Sequence, residues 1–159
     1  MFNPKNRILI TNTCFAGDGV ICLGGQLITI INSIKNLLPK HAWYGGDVQA
    51  VGKNARKYNL NGFNLNIIGS DLKFIEYCSG IVQFIWGVFL CIDEHFLSQN
   101  IRSVEVGTED EPFRPLTLEG VLIEIRAFDT SFFELYSEDT ILMKEISKMY
   151  SAEIIHAKS

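Results

Sequence analysis

The chain has no CxxC pair, no HExxH histidines, no excess of basic residues and no long apolar run, and each absence narrows what it can do. Its four cysteines, Cys14, Cys22, Cys78 and Cys91, stand apart, and the opening MFNPKNRILI lacks the apolar core of a secretory leader. A soluble cytoplasmic protein with free thiols is therefore expected. The most apolar stretch, Ile81 to Ile92, is too short to cross a bilayer as a helix and is interrupted by Gln83 and Gly87, so no membrane partner is expected. With 14 Lys and Arg against 18 Asp and Glu, the chain has no global attraction for phosphate backbones, and no nucleic-acid partner is expected either.

Motifs that would hold a cofactor are also missing. The loop FAGDGVICLGGQ carries Gly19 and Gly24 at the spacing of a phosphate loop, but Gly25 and Gln26 stand where a lysine and a hydroxyl residue are needed. Gly17 and Gly19 are followed by Cys22 at the position of the third glycine of a dinucleotide fingerprint. Of the histidines, His41, His95 and His156, only His95 lies beside other potential ligands, Asp93 and Glu94, and adjacent residues of an extended segment point to alternate sides. Neither a cofactor nor a metal is expected, and no residue is assigned a catalytic role. Lys53, Arg56 and Lys57 beside Tyr58 form the one basic and aromatic cluster, read as a solvated face.

What is present suffices for one core. The 159 residues are 47% hydrophobic and 20% charged, enough apolar surface to offset the entropy of ordering one globular domain over residues 1–159. Arg7 to Thr11 reads as a strand, and Gln26 to Leu38 has the apolar period of a helix stopped by Pro39. Residues 40–62 mix Trp43, Tyr44 and Val48 with four glycines and stay open between strand and loop. Phe63 to Ile68 alternates with Phe63, Leu65 and Ile67 inward, and Ser70 suits the cap of a helix burying Leu72, Ile75 and Cys78. Ile81 to Ile92 is apolar on both alternating faces, as a central strand is. Ile101 to Val106 reads as a weaker strand and Gly107 to Pro115 as an exposed loop. Val121 to Phe128 and Phe132 to Ser137 form a hairpin, and Glu138 to Tyr150 is a helix with Ile141, Leu142, Ile146 and Met149 inward. The fold class is α+β, a mixed but mainly antiparallel sheet with about three helices.

Two features bear on function. Residues 1–99 hold 8 basic against 6 acidic residues, whereas residues 100–159 hold 6 against 12, so a basic protein partner would dock on the C-terminal third. On the hairpin, Glu124, Arg126 and Phe128 stand opposite Tyr136, Glu134 and Phe132, an aromatic and charged face of the composition found at protein interfaces. These six residues are the candidate protein-binding surface, read as an exposed face on which the charge pair contributes little to stability. The segment Glu124 to Ile146, EIRAFDTSFFELYSEDTILMKEI, resembles a loose group of small bacterial cytosolic proteins of unknown function, some of them similar to immunity proteins that neutralise toxins. That resemblance implies a non-enzymatic inhibitor and no active site. The alternative is a small-molecule site or small enzyme with a cleft between the Gly-rich loop 17–25 and Trp43, Tyr44 and Asp47, where aromatic walls and one carboxylate meet glycine backbone.

Overall fold

The hairpin is the local unit from which the architecture grows. In the computed structural model, which describes residues 1–16 and 19–159, its strands are β5 (Val121–Phe128) and β6 (Phe132–Ser137). They pair with Arg126 opposite Glu134, Glu124 opposite Tyr136 and Phe128 opposite Phe132, the register read from the alternation. Asp129 and Thr130 take positive φ in the connecting turn, a conformation that aspartate tolerates well.

Around the hairpin stand β1 (Asn6–Ile10), β2 (His41–Val51), β3 (Asn66–Gly69), β4 (Gln83–Asp93) and β7 (Ile154–His156). The seven-stranded order is β3-β2-β4-β5-β6-β1-β7, and every strand pair is antiparallel. The fold is α+β. β4 lies inside the sheet with Val88 to Ile92 fully buried, as its two apolar faces require. Residues 41–51, ambiguous by composition, are a strand: Gly45 and Gly46 serve close packing, because a Cβ would stand 3.1 Å from Leu60 at the first and 2.7 Å from Val106 at the second.

One face of the sheet is covered by α1 (Gly24–Ile34), α2 (Asp71–Ser79) and α3 (Thr140–Tyr150). Leu27, Ile31, Phe74, Tyr77, Met143 and Ile146 pack there against Ile8, Trp43, Phe89, Ile125 and Phe133. Ser70 caps α2 by accepting from the Lys73 amide, and Asp139 caps α3 by accepting from the amides of Ile141 and Leu142. The inward stripes differ from the expected ones. Leu72 and Ile141 are about three-quarters exposed and Met149 is exposed, while Phe74, Tyr77 and Met143 take the core positions. On β3 and its approach the phase also shifts: Phe63 and Ile67 are exposed, and Leu65 and Ile68 are buried on opposite faces.

The other face is covered by irregular chain. Ile101–Ser103 is a 3-10 turn rather than a strand, while Gly107 to Pro115 is the mostly exposed loop expected, with Thr108 alone buried in it. Ile101, Val106, Leu116 and Leu118 are buried, with Phe2 and Leu65, against Tyr44, Val88, Leu90 and Tyr136. This cover has its backbone groups paired: Val106 donates to Phe63 O, Leu65 to Val104 O, and Phe2 and Leu116 exchange two hydrogen bonds. Among the described residues, no helix is long and apolar enough to cross a membrane.

Candidate functional site

Four of the six residues of the hairpin face singled out by composition are buried, while Phe128 and Phe132 near the turn are half-buried. Glu124 and Arg126 are 2% exposed, Glu134 is 5% and Tyr136 is fully enclosed, because the 94–120 segment lies over them. The expectation of an open surface is corrected, and the reason is long-range: cover from Phe2, Val106 and Leu116 leaves no trace in the hairpin's own pattern. The face is instead a polar layer inside the protein. Arg126 Nε donates to Glu124 Oε1 at 2.5 Å, its Nη1 donates to Asp110 O at 2.7 Å, and its guanidinium lies 4.7 Å from the Tyr136 ring centroid. Tyr136 OH donates to Glu134 Oε2 at 2.5 Å, and Arg7 reaches the same oxygen at 3.3 Å while lying over Phe113.

Burial decides how these groups titrate. Loss of water pushes the Glu124 carboxyl above its usual range, only partly offset by Arg126, and Asp110 and Glu134 add to the rise. Burial alone would lower the Arg126 guanidinium, but Glu124, Tyr136 and Glu134 around it carry it upward, so it stays charged. The Tyr136 phenol is raised by burial and by Glu134. Among the described residues four buried side-chain polar atoms lack a partner, and three of them, Arg7 Nε, Glu124 Oε2 and Thr108 Oγ1, belong to this layer or its cover.

At the edge of the cover the chain opens into a cleft of about 410 Å³ lined by Asp47, Phe63, Trp86, Gly107, Thr108, Glu109, Asp110, Phe128 and Asp129. Strand register explains the gathering. β2 bulges between Gly46 and Gln49, Asp47 takes φ of 51°, and the amides of Asp47 and Val48 leave the ladder for Gly62 O and Leu60 O. Trp86 pairs with Gln49 across the bulge, and the hairpin tip is tied alongside by Thr130 N donating to Ile85 O. Phe128 stacks on Phe132 with planes 3° apart, and its ring forms part of the cleft wall.

The acidic groups here are held differently. Asp47 Oδ2 accepts from Thr108 N and Asp110 Oδ2 from Gly107 N, each at 2.8 Å, and Asp110 also pairs with Arg114. Glu109 and Asp129 make no ion pair among the described residues. Among the described residues, no basic one lines the cleft. Of the hairpin candidates, then, Phe128 alone lines it. Trp86, Phe63, Glu109, Asp110 and Asp129 escaped notice in the sequence, although the acid run 109–111 and a tryptophan beside a strand glycine were the signals available.

The alternative cleft is taken apart by the fold. Trp43 is fully buried on the helical face with Nε1 bonded to Asp71 at 2.8 Å, Tyr44 is buried on the opposite face, and Asp47 lies in the cleft just described. Gly17 lies outside the described residues, and Gly19 and Gly25 border a separate depression with Cys14, Phe15 and Tyr150. Gly24 serves packing, since a Cβ there would stand 2.3 Å from the carbonyl oxygens of Cys78 and Ile81. Burial pushes the Cys22 thiol up to about 12 and raises Cys78 and Cys91 as well, so none of these three is an activated nucleophile. Asp93 accepts both from the His95 amide and from its ring, and among the described residues no three potential ligands converge on a metal position. No family model matches the chain, and no curated protein or solved structure is significantly similar to it.

Proposed function

We propose that this is a non-enzymatic binding protein that docks a basic protein partner, with an immunity-type inhibitor of a toxin as its sharpest form. The observation that carries the reading is the composition of the cleft: among the described residues four carboxylates and three aromatic rings line it, and no basic side chain does. Acidic excess over residues 100–159 supports it, because the field of that region steers a cationic partner toward the same end of the sheet. Affinity capture from the native cell tests it. Wild-type protein is expected to retain a basic partner that is released by salt, and the Glu109→Gln/Asp129→Asn variant is expected to lose it. Equal recovery by both forms contradicts the assignment.

A small cationic molecule is the second reading, favoured by the volume of the cleft, which falls within the range of ligand pockets. It replaces the first if cationic metabolites raise the melting temperature while no protein is captured.

A further inference from the structure

We infer that the group seated in this cleft is an arginine side chain of the partner, an inference that rests on the binding role proposed above. Three observations converge. Thr108 is 2% exposed and forms part of the lining, and its enclosed Oγ1 has no hydrogen-bond partner among the described residues. Glu109 and Asp129 are exposed carboxylates without a counter-charge among the described residues, while Asp47 is fixed by a backbone amide and Asp110 by an amide and Arg114. Phe63 and Trp86 are exposed aromatic rings in the same wall, 60% and 37% accessible.

An apolar occupant would bury Glu109 and Asp129 without partners, and an anion would meet their two charges and that of Asp47, Asp110 being already paired with Arg114. The occupant must be a cation with several donors. Lysine offers a compact, strongly hydrated ammonium, whereas a guanidinium sheds water more readily, lies flat on aromatic faces and spreads five N–H donors over separated acceptors. The protein already holds an arginine in this manner directly behind the wall. Arg126 lies over Tyr136, donates to Glu124 and reaches the carbonyl of Asp110, a residue shared with the cleft.

The test is an NMR titration of the full chain, ¹⁵N-labelled, with blocked Gly-Gly-Arg-Gly-Gly, and with the same peptide carrying lysine or citrulline in place of arginine. The arginine peptide is expected to shift the Trp86 indole N–H and the amides of Gly107 and Thr108 saturably, leaving the Trp43 indole, bonded to Asp71, unmoved. Citrulline should abolish binding, lysine should weaken it, and Glu109→Gln/Asp129→Asn, which alters exposed side chains only, should weaken the arginine peptide about tenfold. Trp86→Leu should weaken it as well, through the lost ring. If lysine binds as tightly with the same shifts, the arginine assignment fails and the cationic cleft remains. If neither cation shifts the lining, both fail.

Discussion

The two faces of the sheet are buried to the same degree by opposite means. On the helical side packing is mainly hydrophobic, from Ile8 and Leu27 through Phe89 to Ile146, with the uncharged Asn6 and Ser137 buried beside α3 and no buried ion pair among the described residues. On the other side irregular chain covers Glu124, Arg126, Glu134 and Tyr136, and the layer holds only because each charge finds an opposite charge, a ring or a carbonyl. Regular elements can supply a continuous apolar surface; a loop brings its own polar backbone, and Arg126 answering Asp110 O shows how the sheet accommodates that. The open cleft lies where this second cover ends.

The contrast gives each face its own sensitivity. On the helical side Phe89→Ala should have the largest effect, about 3–5 kcal/mol lost in urea unfolding, because a ring fully enclosed by Phe74 and Phe84 leaves a cavity. A loss below about 1 kcal/mol would mean that this core collapses around the gap, as a loosely packed one does. At the other extreme, Ile141→Ala on α3 should change stability by no more than about 0.5 kcal/mol, since its side chain stands in water. A larger cost would restore the helix phase inferred from the apolar pattern.

That helix shows how far the sequence could be read. Ile141, Leu142, Met143, Ile146 and Met149 allow two overlapping stripes, and only docking on β1 and β6 selects Leu142, Met143 and Ile146. The hairpin register and the Ser70 cap were legible because alternation and capping are local chemistry. So was β4, whose two apolar faces admit only an interior place. The strand His41–Val51 was hidden by glycines that turn out to admit Leu60 and Val106, and β7 is too short to signal itself. The burial of the hairpin's charged face was not legible at all. Its cover joins Phe2 to Leu116, residues that lie far apart in the chain and are separated by polar stretches. The candidate site suffered the same way: Phe128 and Asp47 were singled out for different reasons, and only the bulge in β2 and the fold of 107–110 place them in one cleft.

Whether a charged layer is buried under irregular chain is decided by a double-mutant cycle on Glu124 and Arg126, followed by urea unfolding at pH 7 and pH 4. Arg126→Ala should cost about 3–5 kcal/mol at neutral pH, because it leaves Glu124 without its counter-charge in low dielectric. Adding Glu124→Ala should recover part of that loss. Burial already holds the Glu124 carboxyl above its ordinary range in the intact protein, and loss of Arg126, which pulls it down, should raise the folded pKa further. The carboxyl's favourable contribution is then complete below the ordinary glutamate range and is lost as pH rises through the folded value, so the deficit should be smaller at pH 4 than at pH 7. Costs of about 0.2–1 kcal/mol, additive and indifferent to pH, are what an exposed pair gives, and they would contradict the buried layer.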